Sequence, residues 1–148
     1  MSDARTRLER ADHGVLSTIH AIRGIDSVPV CFAVVGDLAG IPIDTVKSKR
    51  SMRLGRLTNL EADPRATLLV EHWDPDDWTA LWWVRASLRQ IVADDAVRAD
   101  LIDALRAKYP QYADGGIADV IVLRITDVAD WSAAASPDRR DARGHPSS

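Results

Sequence analysis

The chain has 148 residues, 46% of them hydrophobic and 28% charged, a balance that supports one packed core and excludes a disordered polyelectrolyte. Its net charge of −3 argues against a general nucleic-acid binder, and its apolar runs, such as Val28 to Val35, fall well short of the roughly 20 residues of a membrane helix. The single cysteine, Cys31, excludes an internal disulfide or a cysteine-cluster metal site, and the polar start Met1-Ser-Asp-Ala-Arg lacks a signal-peptide apolar region, so a cytoplasmic protein is expected.

Asp3 to Ala11 is rich in helix formers and is followed by Gly14, which predicts a short N-terminal helix stopped before a strand. Val15 to Ile19, Pro29 to Val35 and Ile41 to Val46 are runs rich in β-branched residues. Turn signals at Arg23-Gly24, Gly36-Asp37 and Gly40 separate them, and the pattern predicts an antiparallel meander. Cys31 lies inside the second run and reads as a small buried hydrophobe. Pro42 lacks a backbone donor, which assigns the third run to an edge or to a cofactor-facing position.

Ser51 is placed to cap a helix over Met52 to Ala62, with Leu54, Leu57 and Leu60 on one side, Arg53 and Arg56 on another, and Asp63-Pro64 at its end. Gly55 costs such a helix about 1 kcal/mol relative to alanine, so either the helix is marginal or something approaches its backbone closely. Ala66 to Glu71 reads as a strand. The run Trp78 to Val92 reads as another, with apolar residues at the even positions from Trp78 to Leu88. Asp94 to Lys108 follows as an amphipathic helix with Val97, Leu101, Ile102 and Leu105 on one face, closed by Pro110, and Ile117 to Val128 is the last strand. Ser136 to Ser148 has no periodicity and is expected to be a disordered tail. Six strands with two or three helices predict a single domain over residues 1–135, mainly β, in which an antiparallel barrel carries peripheral α-helices.

Conventional catalytic patterns are missing. The four histidines have no metal-ligand spacing, and there is neither a Gly-x-Ser-x-Gly elbow nor a Gly-rich phosphate loop, which disfavours a hydrolase or a zinc enzyme. A cofactor that carries the reactive atom remains compatible with this composition. From Lys47 to Arg56, five of ten residues are basic (Lys47, Lys49, Arg50, Arg53 and Arg56) and none is acidic. At the start of a helix with free backbone amides that segment suits a phosphate, although a solvated basic helix face is the commoner outcome for a charge run. Trp73, Trp78, Trp82 and Trp83 cluster within eleven residues. Core or interface packing is the expectation for Trp82 and Trp83, whereas Trp78 follows the acidic turn Asp74-Pro-Asp-Asp and is placed to meet a planar ring.

Three stretches are similar to a known family: Ile43-Asp-Thr-Val-Lys-Ser-Lys-Arg, Leu54-Gly-Arg-Leu-Thr-Asn-Leu-Glu-Ala-Asp-Pro-Arg-Ala-Thr-Leu-Leu-Val-Glu-His, and Asp76-Asp-Trp-Thr-Ala-Leu-Trp-Trp-Val-Arg-Ala. They resemble the pyridoxamine-phosphate-oxidase-like, F-420-dependent enzymes of actinobacteria, over about Leu16 to Val128. The resemblance implies a split β-barrel, like the FMN-binding proteins, that forms a homodimer with two cofactor sites at the subunit interface. It implies that Lys47, Lys49 and Arg50 meet the phosphate or acidic tail of coenzyme F-420, that Arg56 and Asn59 support the phosphate side, and that Trp78 comes from the other subunit. Val30, Phe32 and Ile43 would line the ring system. The chain departs from the family where an Asp-Gly turn is common between the first two strands, having His20-Ala-Ile-Arg-Gly-Ile-Asp-Ser, and has Leu88-Arg89 where glycine is frequent. The activity implied is hydride transfer from the reduced deazaflavin to a small unsaturated acceptor, with FMN as the alternative cofactor. An FMN-dependent oxidase or flavin reductase, and a non-catalytic binder of a flavin, deazaflavin or haem-like ligand, are the competing readings. Neither nucleic acid nor membrane is an expected partner.

Overall fold

A computed structural model of the chain describes residues 3–44 and 50–134, with side chains throughout except at 50–54. Seven strands and three α-helices follow in the order α1 (Asp3–Arg10), β1 (Gly14–His20), β2 (Gly24–Val30), β3 (Ala33–Val35), β4 (Leu38–Asp44), α2 (Arg50–Ala62), β5 (Arg65–His72), β6 (Trp82–Gln90), α3 (Asp95–Lys108) and β7 (Ile117–Ser132). All the described pairings are antiparallel, in one sheet of order β2-β1-β5-β6-β7-β4-β3. β2 and β3 therefore stand at opposite edges of the sheet, yet only Cys31 and Phe32 separate them in the chain. A connection that short brings the two edges together, so the sheet is rolled into a barrel that is split between β2 and β4.

Three expectations are corrected here. The apolar run Pro29 to Val35 is two strands: β2 ends at Val30 and β3 begins at Ala33, and between them the backbone N–H of the fully buried Phe32 donates to the Tyr109 hydroxyl at 3.1 Å instead of to a strand. The first three runs are also not a meander: β1 pairs with β2 and β3 with β4, but β4 pairs next with β7 at the far side of the sheet. The seventh strand arises from this division. The predicted strand from Trp78 starts instead at Trp82, after a 3-10 turn over Trp78–Ala80 that Asp77 caps through the Thr79 N–H at 3.0 Å. The last strand runs on to Ser132, and the tail after residue 134 lies outside the described residues.

The period-two pattern of β6 places Val84, Ala86 and Leu88 inside, against Leu16, Leu68, Ile41 and Leu123. α2 covers this core with Leu60, fully buried, and Leu57. Along β7 the faces diverge. Ile121 and Leu123 point into the barrel, while Val120 and Val122 pack outside it under Leu101 and Leu105 of α3. Asp94 caps α3 by accepting from the Val97 N–H at 2.9 Å. No helix among the described residues is long and apolar enough to cross a membrane.

Candidate functional site

β3 spans three residues and pairs with Leu38–Gly40 only, so among the described residues the rest of β4 has β7 on one side and no strand on the other. Pro42 lies in this unpaired half, where a missing N–H costs least. The gap between that half of β4 and the end of β2 is a cavity of about 230 Å³. Its apolar walls are Pro29, Val30, Ile41 and Pro42. Its polar walls are His13, Cys31, Asp44, Arg56 of α2, and Tyr112.

Tyr109 and Tyr112 flank Pro110 at the end of α3 and fix the side of this cavity. The Tyr109 hydroxyl donates to the Asp12 carbonyl at 2.6 Å and accepts from the Phe32 N–H at 3.1 Å, tying α3 to the β2–β3 connection. Burial, opposed in part by the backbone bond at Phe32, pushes its phenol up to about 12. Tyr112 packs edge-on against Tyr109 and donates its hydroxyl proton to Asp44. Burial, and then the Asp44 carboxylate, hold the Tyr112 phenol far above the usual tyrosine range, so it remains a neutral donor. Lys108 lies 3.9 Å above the Phe32 ring, and burial lowers its ammonium from the usual lysine range.

Arg56 also lines a second cavity of about 350 Å³, bounded by Thr18, Arg23, Asp26, Ser27, Val28, Gly55 and Asn59. Gly55 is exposed on its wall, and a Cβ built there meets nothing within 4 Å of the rest of the chain. A larger side chain at this position would meet no described residue. Asn59 donates both N–H groups of its amide, to Thr18 Oγ1 at 3.0 Å and to Asp26 Oδ2 at 2.9 Å, which leaves only its carbonyl oxygen for other partners.

The expected site residues divide. Val30 and Arg56 line the first cavity, and Arg56 and Asn59 the second. Phe32 fills the barrel core, and Ile43 packs against the same core, while its neighbours Pro42 and Asp44 face the cavity. Trp78 is 64% exposed on the outside, its ring 5.7 Å from that of Trp73. Lys47 and Lys49 lie outside the described residues, as does the side chain of Arg50. Cys31 is half-buried at the cavity wall, not fully buried in the core. Tyr112 and Asp44 were not anticipated as site residues. The one available sign was that the only two tyrosines of the chain stand three apart across a proline.

A ligand with a flat apolar ring and an anionic extension fits these residues. The ring would meet prolines and aliphatic side chains with Asp44, Arg56 and Tyr112 at its edge, and the extension would meet the guanidinium groups of Arg56 and Arg23.

No protein-family model matches the chain, and no curated protein matches it. Solved structures do. An F420 reductase aligns with a TM-score of 0.57 at 21% identity, over 87% of this chain and 98% of its own. A FAD-binding protein from Mesorhizobium loti aligns with a TM-score of 0.62 at 14% identity, over 88% of this chain and 94% of its own. The haem storage protein HutZ from Vibrio cholerae aligns with a TM-score of 0.60 at 14% identity, over 86% and 90%. The chain shares the split β-barrel fold of these structures, as the family resemblance implied.

Proposed function

We propose that this chain binds coenzyme F-420 in the two cavities that meet at Arg56 and acts as a reductase of a small unsaturated acceptor. The observation that carries the reading is the junction itself. One side chain borders both a cavity of about 230 Å³ with an apolar wall of Pro29, Val30, Ile41 and Pro42 and a polar groove beside the exposed Gly55, and the basic residues Lys47, Lys49 and Arg50 come just before these positions in sequence.

When bound, the reduced deazaflavin supplies a hydride to the acceptor. The chain's own residues bind and orient. Val30, Ile41 and Pro42 exclude water from one side of the ring slot. Arg56 donates to anionic or carbonyl oxygens where the cavities meet, and the segment from Lys47 to Arg50 supplies charge for the phosphate and acidic tail. Tyr112, held neutral, keeps the Asp44 carboxylate turned to the same slot.

A second copy of the chain completes the site in this reading. Trp73 and Trp78 are 58% and 64% exposed with their rings 5.7 Å apart, and such a pair of adjoining exposed indoles supports a surface that a second copy covers. A monomeric mass at micromolar concentration would count against it.

The test is a pair of variants read by equilibrium binding. Arg56→Ala is expected to raise the dissociation constant about ten- to a hundredfold, the loss of one charge-assisted contact worth roughly 1.5–3 kcal/mol. The double replacement of Lys49 and Arg50 by alanine is expected to penalise F-420 more than FMN, because FMN ends at its phosphate. Equal losses for both, or no loss for either, would return the basic segment to a solvated helix face.

A further inference from the structure

The β1–β2 connection carries a side-chain device. Three residues, Ala21, Ile22 and Arg23, link the strands, and Gly24 follows at φ 97°, the left-handed position such a hairpin needs. His20 closes the turn from within, its Nδ1 accepting from the backbone N–H groups of Ile22 at 3.1 Å and Arg23 at 3.0 Å. Arg23 folds back along β2. Its Nε and Nη2 donate to the Asp26 carboxylate at 3.3 Å and 2.9 Å, and Asn59 of α2 holds the same carboxylate from the other side at 2.9 Å.

The guanidinium of Arg23 is therefore fixed at the second cavity by a chain of contacts that ends in a buried residue, Asn59. Its side chain is 64% exposed, and among the described residues its Nη1 donors have no acceptor. The bonds from Asn59 and Arg23 hold the Asp26 carboxyl below the usual carboxylate range, so the clamp stays charged at neutral pH. Among the described residues of the cavity walls, Asp26 cancels one of two guanidinium charges, Arg23 and Arg56, which leaves one in surplus. Val28 is the sole aliphatic side chain among those described wall residues; the others are polar or glycine, which suits an extended anionic chain better than a flat ring.

We propose that Arg23, positioned by Asp26 and Asn59, binds a carboxylate or phosphate on the ligand's extension, beyond the phosphate nearest the ring, and thereby selects a tailed cofactor over an untailed one. This rests on the cofactor reading above. The planar fork of an arginine matches a carboxylate in two parallel bonds, and a fork already clamped on one edge loses less side-chain freedom on binding.

The experiment compares wild type, Arg23→Ala and Arg23→Lys by titration with four probes: the deazaflavin chromophore without phosphate or tail, FMN, F-420 with its glutamate tail, and a free triglutamate peptide. Arg23→Ala is expected to raise the dissociation constants of F-420 and triglutamate about tenfold and to leave FMN and the bare chromophore unchanged. Arg23→Lys is expected to restore part of the loss. The difference should shrink as salt rises above about 0.15 M. An equal loss for FMN and F-420, or no loss for F-420, overturns the inference. If wild type binds no deazaflavin, the cofactor reading fails, and the triglutamate arm then decides on Arg23 alone: unchanged affinity in Arg23→Ala overturns the inference.

Discussion

The side-chain amide of Asn59 donates to the carboxylate of Asp26 at 2.9 Å, a bond that ties α2 to β2 at the wall of the second cavity. Asn59 is buried and its other N–H is given to Thr18 on β1, so one residue of a helix fixes two strands. Asn59→Ala is expected to destabilise the fold by about 1–3 kcal/mol, because the buried Thr18 hydroxyl loses its donor and a small void is left. Urea denaturation at neutral pH measures this, and a change within error of zero would remove Asn59 from the framework.

Gly40 and Gly55 should respond oppositely to alanine. A Cβ on Gly40 would sit 3.0 Å from Val120 Cγ2 and 3.1 Å from Leu101 Cβ, so Gly40→Ala is expected to cost about 1–3 kcal/mol by overpacking α3 on the sheet. A Cβ on Gly55 meets nothing, so Gly55→Ala is expected to raise stability by about 0.5–1 kcal/mol through helix propensity. Gly55 lines the second cavity, so the same substitution is expected to weaken cofactor binding. Thermal melts and binding titrations of the two variants check both signs; a Gly55→Ala protein that binds as wild type does would remove the cavity from the site.

Stability should fall at both pH extremes for identifiable reasons. Asp63 is held down to about 2 by hydrogen bonds from the Arg65 side chain and N–H, below an unfolded value of 3.8. Its contribution is therefore present above about pH 4 and is lost as pH falls toward 2. Asp26 acts in the same direction. Tyr109 is raised from 10.0 to about 12, so its contribution is complete below pH 10 and is lost between about 10 and 12. Asp63→Asn is expected to flatten the acid limb of a stability–pH curve and Tyr109→Phe the alkaline limb, each leaving the other limb unchanged.

Trp78→Ala is expected to weaken cofactor binding more than Trp73→Ala. The two rings touch at 5.7 Å and are both exposed, so removal of either loses similar contact within the chain, and only a ligand reached across a dimer interface distinguishes them. Equal effects would assign both to surface packing.

Much of the fold was legible because the signals were local. The alternation from Trp82 to Leu88 marked which side chains of β6 face the core, and the stripe of Leu101 and Leu105 marked the face of α3. The order of the strands was not legible, since the pairing of β4 with β7 depends on contacts across some eighty residues. The division of the run Pro29 to Val35 was hidden for a related reason: a fully apolar run does not say which residue turns inward to fill a barrel. Of the residues that line the two cavities, Val30, Arg56 and Asn59 are among those the resemblance named, whereas Arg23, Asp44 and Tyr112 are not. They meet the cavities only after a hairpin, a split sheet edge and the end of α3 converge.

The most direct test of the account is equilibrium binding of F-420, FMN and haem to the purified wild-type protein, followed by absorbance and fluorescence. The account predicts saturable binding of F-420 at one site per chain, weaker binding of FMN and none of haem. Retention of FMN or haem with no affinity for F-420 would contradict it.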